Sequence, residues 1–102
     1  MDFIGFMEKR MTLEKLYQII CDRRDNPQQE SYTTHLIAEG EDEILKKIGE
    51  ETMEVIIAAK GQGKQRLIEE LSDLAYHSLV LLAYRGIKPL DIQTELEKRH
   101  KK

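Results

Sequence analysis

The sequence predicts an all-α fold of about four helices, and three observations carry that expectation. Apolar residues recur three and four positions apart along several long segments. Only two prolines and six glycines occur, so long uninterrupted helices are allowed. The β-branched run Val55, Ile56, Ile57 is embedded in a 3.6-residue pattern rather than a two-residue one, so it reads as helix and not strand.

The first helix follows Thr12, a capping residue, with Glu14 and Lys15 in its opening turn. Leu13, Leu16, Tyr17 and Ile20 form its apolar stripe, and Asn26-Pro27 ends it, because a residue before proline avoids helical backbone. Asn26 to Gly40 then reads as a long polar connection. Ser31 to Thr34 is not expected to be a long helix, and His35 to Glu39 forms at most a helical turn stopped by Gly40. The second helix spans about Glu41 to Lys60 and stops at Gly61-Gln62-Gly63. The third spans about Lys64 to Tyr84 and stops near Gly86. Pro89 opens a short fourth, since proline suits a first helical turn.

Composition narrows the class. The 102 residues suggest one domain, taken as 11–102, behind a flexible leader at 1–10. The net charge of −3 argues against a nucleic-acid binder, and the basic Arg99 to Lys102 tail is read as a solvated terminus. No stretch reaches the roughly 18 apolar residues of a membrane span. Cys21 is the lone cysteine, which fits a reducing cytoplasm and is read as a structural thiol.

The chemistry lies in KKIGEETMEVIIAAK, Lys46 to Lys60. At 100° per residue, Ile44, Ile48, Thr52, Val55 and Ala59 share one face, and Met53 and Ile57 the opposite one. Between them runs a polar stripe of Lys47, Glu50, Glu51 and Glu54. The next helix repeats the plan. Leu67, Leu71, Leu74, Ala75, Ser78 and Leu82 form one face, Tyr76, Val80 and Ala83 much of the other. Arg66, Glu70, Asp73, His77 and Tyr84 run between. A short connection makes the two helices antiparallel neighbours. Glu51 and Glu54 then meet Glu70 and Asp73.

Four converging carboxylates repel unless a cation sits among them. Oxygen-only ligands select hard cations, magnesium or manganese, and magnesium commonly shares its shell with substrate phosphate. The alternative is a solvated acidic surface balanced by lysines. The matching wedge position on two doubly apolar helices favours the metal. A di-iron centre needs Glu-x-x-His pairs on facing helices, whereas His77 follows Asp73 by four and has no matching pair on the helix opposite, which disfavours it. Met53, Ile57, Val80 and Ala83 lie on second apolar faces that four short helices can hardly bury alone, which predicts a homodimer.

Glu50-Glu51-x-x-Glu54, fifteen residues, then Glu70-x-x-Asp73 resembles the EExxE…ExxD signature of the all-α MazG-like nucleotide pyrophosphohydrolases. SYT at Ser31 to Thr33, KKIGEE, EVIIAAK, DLAYHSLVLL and the closing LEKRH are together similar to the phosphoribosyl-ATP pyrophosphatase family, over about Leu13 to His100. The resemblance implies a MazG-like helical bundle completed by dimerisation. It implies hydrolysis of phosphoribosyl-ATP to phosphoribosyl-AMP and pyrophosphate, the second step of histidine biosynthesis. The Cys- and His-rich site of the cyclohydrolase often fused to this family is not among these residues, so a stand-alone hydrolase is expected.

Carried over by the motif, Glu51, Glu54, Glu70 and Asp73 are the implied magnesium ligands. Glu50 and Glu51 are the implied catalytic carboxylates, with Glu50 orienting the attacking water or accepting its proton. Lys47 and Arg66 are candidate phosphate contacts, with Lys46, Lys60 and Lys64 as outlying bases. Ser31, Tyr32 and Thr33 are candidates for closing over the ribose or base, and Arg24 is a weaker one. His77 is either a site group or a hydrogen-bonded core histidine. Two rival functions remain open. One is a house-cleaning hydrolase of noncanonical deoxynucleoside triphosphates, which would use the same carboxylates. The other is a non-catalytic helical dimerisation module.

Overall fold

The computed structural model describes residues 10–101. Except for Arg10, the leader expected at 1–10 lies outside the described residues. Among the described residues five helices form: α1 (Leu13–Asp25), α2 (Tyr32–Glu39), α3 (Glu41–Gly61), α4 (Gly63–Arg85) and α5 (Pro89–His100). Among the described residues no strand occurs, and no helix is long and apolar enough to cross a membrane.

The helix ends obey local chemistry. Thr12 Oγ1 accepts from the Lys15 amide at 3.0 Å, satisfying one of the orphan donors of α1. Gly86 is left-handed at φ 71°. The amides of Gly86 and Ile87 return to the carbonyls of Ala83 and Leu82 at 3.2 and 2.9 Å, a Schellman end for α4. Only Gln62 separates α3 from α4, and Gly63 adopts φ 87°, a value that side-chain-bearing residues rarely reach. Pro89 opens α5, and the Asp91 carboxylate accepts from the Lys88 amide at 2.9 Å.

The extra helix is α2, where a polar connection was expected. Ser31 Oγ accepts from the Thr34 amide at 3.1 Å and caps it, and Leu36 is buried at 3% exposure. Gly40, at φ 100°, turns the chain directly into α3. The threonines at 33 and 34 weaken the helical signal, but tertiary burial of Leu36 outweighs a propensity deficit of a few tenths of a kcal/mol per residue.

α3 and α4 form the main antiparallel pair, α1 packs on α4, and α2 bridges α1, α3 and α4. The core joins Tyr17 and Ile20 of α1, Leu36 of α2, Ile44 of α3, and Leu79, Val80 and Ala83 of α4. This corrects the expected faces of α4. Val80 and Ala83, assigned to a surface for a second chain, are fully buried, whereas Leu71 is 46% exposed. A helical wheel ranks residues around an axis but cannot say which of two apolar faces the neighbouring helices take. α1 and α2 take the Val80–Ala83 face. On α3, Thr52 and Ala59 are exposed and Ala58 is buried instead, while Met53 and Ile57 remain exposed as expected. Every α5 residue from Leu90 onward is exposed.

Ser31→Ala removes the α2 cap and is expected to cost about 0.5–2 kcal/mol, read as a lower urea midpoint with an unchanged slope. A midpoint identical to the parent would show that α2 does not depend on this cap.

Candidate metal centre

The seam between α3 and α4 alternates three- and four-residue steps. On α3 it is Ile44, Ile48, Glu51, Val55 and Ala58, and on α4 Leu67, Glu70, Leu74 and His77, all buried or half-buried. Glu51 and Glu70 thus occupy positions that an ordinary helix pair would fill with leucine. The N-terminal half of α3 and C-terminal half of α4 supply isoleucine, leucine and valine to the core, and Glu41 at one end ion-pairs with Arg85 at the other. That end fixes the register, and two to three turns further along the register brings acids face to face.

Glu51, Glu70 and Asp73 each offer a carboxylate oxygen, and the three oxygens lie within 4.8 Å of one another. Glu70 is only 6% exposed, Glu51 is half-buried and Asp73 faces solvent. Burial raises the Glu51 pKa above the usual carboxylate value. The Asp73 charge adds to the rise, His77 opposes it, and Glu70 raises it further. Oxygen-only donors from two helices, one of them desolvated, suit a hard divalent cation open to solvent on the Asp73 side.

The remaining candidates separate into groups. Glu54 is exposed and outside the three-carboxylate cluster, although its charge reaches Arg66. Glu50, Lys46, Lys60 and Lys64 are exposed, and Lys47 is half-buried. Arg66 donates to Glu69 at 2.6 Å and to Glu70 at 2.5 Å. Arg24 donates to the Ala83 carbonyl at 2.6 Å and pairs with Asp25, so it caps the end of α4.

Tyr32, Thr33 and His77 converge beside Asp73. His77 Nδ1 lies 2.9 Å from the Asp73 carbonyl oxygen, which can only accept, so Nδ1 carries a proton. In the neutral ring, Nε2 then accepts from the Tyr32 hydroxyl at 3.2 Å. Thr33 and Tyr76 are hydrogen-bonded through their hydroxyls, and the Tyr76 and His77 rings meet edge-on at 5.0 Å. Ser31 caps the same helix end. Two side-chain bonds therefore fasten the start of α2 to α4, one residue pair at the level of a carboxylate of the cluster. From the sequence Tyr76 reads only as an apolar-face residue. Its neighbour His77 was the signal, since adjacent residues on α4 can meet adjacent residues on α2.

Glu51→Gln removes a carboxylate that burial and neighbouring acids hold above its usual pKa. Without divalent ions the variant is expected to melt no lower than the parent, and to lose the stabilisation that magnesium gives the parent. A Glu51→Gln protein that melts several degrees lower in chelator would contradict the repulsive geometry.

The phosphoribosyl-ATP pyrophosphohydrolase family matches residues 13–100. A phosphoribosyl-ATP pyrophosphatase of Clostridium acetobutylicum is 54% identical over 94% of this chain and 87% of its own. One of Pelotomaculum thermopropionicum is 49% identical over 94% of this chain and 98% of its own. One of Limosilactobacillus fermentum is 52% identical over 85% of this chain and 82% of its own. With that coverage and the carboxylates of both helices brought together by the fold, the chain belongs to the phosphoribosyl-ATP pyrophosphohydrolase family.

Proposed function

We propose that the protein hydrolyses phosphoribosyl-ATP to phosphoribosyl-AMP and pyrophosphate in histidine biosynthesis, with residues 11–102 acting as one domain. Membership of the family supports the reaction. The observation that carries the site is the convergence of Glu51, Glu70 and Asp73 on one point of the α3–α4 seam. Glu51, Glu70 and Asp73 would hold magnesium or manganese, with Glu54 reaching in from one turn along α3. When bound, the cation supplies charge neutralisation for the triphosphate and for the leaving pyrophosphate.

The protein's own groups do the rest. Asp73, the exposed member, faces the side from which a nucleotide enters. Lys47 and Arg66 offer cationic contacts to its phosphates. A water oxygen forms the new bond to phosphorus as the anhydride bond to pyrophosphate breaks. Glu50 and Glu51 are the carboxylates placed to orient that water and take its proton. Glu51 is the one whose burial raises its basicity. Tyr32 and Thr33, fixed by His77 and Tyr76, form a firm wall for the ribose or base rather than a mobile loop, with Ser31 at its edge. A cytoplasmic setting fits the lone Cys21.

The reading includes a homodimer. Met53, Ile56 and Ile57 are 57%, 52% and 44% exposed along one side of α3. Leu13, Leu79, Leu82, Ile92 and Leu96 line an apolar groove between α4 and the exposed α5. A second copy of the chain is the occupant that covers them.

Pyrophosphate release should be measured with phosphoribosyl-ATP and with a panel of deoxynucleoside triphosphates in magnesium. Turnover of phosphoribosyl-ATP is expected, lowered roughly 100-fold or more in kcat by Asp73→Asn. Turnover of the deoxynucleotides alone would replace this reading with the house-cleaning one. No turnover of any of these substrates would point to a non-catalytic module, and full activity in Asp73→Asn would refute the carboxylate site. Sedimentation velocity is expected to give the mass of two chains, and Ile57→Asp the mass of one; a parent that sediments as one chain at micromolar concentration would refute the dimer.

A further inference from the structure

Arg66 stands over the carboxylate centre in an arrangement that a phosphate contact does not by itself explain. One nitrogen donates to Glu70 Oε1 at 2.5 Å and a second to Glu69 at 2.6 Å. The two acids are four and three residues away on α4, so the guanidinium fork spans one buried and one exposed carboxylate. Glu70 is 7% exposed at its side chain and Arg66 is 48% exposed. The cation therefore sits at the solvent edge with its charge directed inward. Among the described residues, no other ion pair touches Glu51, Glu70 or Asp73.

A buried carboxylate such as Glu70 is strongly unfavourable without a partner, and three carboxylates within ligand distance repel one another. Arg66 is always charged and its planar fork matches a carboxylate edge. It thus supplies, from within the chain, part of the positive charge that a divalent ion would bring. The same charge opposes the ion's arrival. Because Glu69 offers a second exposed carboxylate, the guanidinium can leave Glu70 without becoming unpaired.

We infer that Arg66 is a built-in counter-cation of this centre: it holds Glu70 in the metal-free protein, yields it to the arriving ion, and weakens metal binding relative to a chain without it. This rests on the metal reading given above. The role is a positioning one and is read without any substrate.

The test compares the full chain with Arg66→Gln, Arg66→Lys and, as a control, Arg99→Gln, whose exposed pair with Glu95 lies on α5. Thermal unfolding is recorded in chelator and in saturating magnesium chloride, and magnesium binding is measured by titration calorimetry. In chelator, Arg66→Gln is expected to melt at least about 4 °C below the parent. Its rise on adding magnesium exceeds the parent's, and its magnesium Kd is roughly three- to tenfold tighter, as removal of one nearby positive charge predicts. Arg66→Lys keeps the parent Kd within about twofold, and Arg99→Gln changes nothing. An Arg66→Gln chain unfolded in chelator but folded by magnesium meets the same expectation; one that magnesium cannot fold overturns it. An unchanged magnesium-induced rise, or weaker binding by Arg66→Gln, also overturns the inference while leaving the metal centre standing. A parent that neither binds magnesium nor is stabilised by it removes the metal reading and the inference together.

Discussion

The antiparallel pair of α3 and α4 places acids two to three turns from the end where the same helices place isoleucine and valine. Ile44 and Val80 are fully buried at one end of the pair, and Glu41 with Arg85 ties that end together. From there the register is forced: a rigid helix carries Glu51 inward, and its partner carries Glu70 and Asp73 to meet it. Neither helix can rotate to release the carboxylates without withdrawing its apolar residues from the core. Buried area at one end thereby holds electrostatic repulsion in place at the other. Full burial of side chains such as Ile44 and Val80 is worth about 1.5–3 kcal/mol each, enough to offset the raised free energy of one partly desolvated acid.

The smaller helices serve this arrangement. α1 and α2 cover the Val80–Ala83 face, and α2 does a second thing. Its first turn presents Tyr32 and Thr33 to His77 and Tyr76, so the segment bearing the SYT motif is fastened to the helix that bears Asp73. Bonds to both ring nitrogens fix the orientation of His77, and the bond to the Asp73 carbonyl identifies the nitrogen that carries a proton. A histidine held this way has the character of a structural bracket beside the site. Arg66 plays the complementary electrostatic part through its ion pair with the buried Glu70.

Helix type, the approximate ends of α1, α3, α4 and α5, and the pairing of two acidic stripes were legible because each depends on local rules. Thr12, Gly86 and Pro89 act on the backbone within a turn, and the spacing of Glu51 with Glu54, and of Glu70 with Asp73, along each helix follows from helical geometry alone. α2 was not legible, since Ser31-Tyr32-Thr33-Thr34 has modest helical propensity and its stability comes from burying Leu36 and from bonds to residues more than 40 positions away.

The sequence by itself determined an all-α chain whose acids repeat at helical spacing on two helices with a tight glycine connection. It also carried the family resemblance, because motif identity is a property of letters. Only the tertiary structure decided which apolar face of α4 turns inward, that Glu54 stands outside the cluster of Glu51, Glu70 and Asp73, and that Arg66 is committed to Glu70. The reason is common to all three. A helical period specifies angles around one axis, whereas burial and ion pairing depend on where the other helices stand, and that is set by the packing of the whole core.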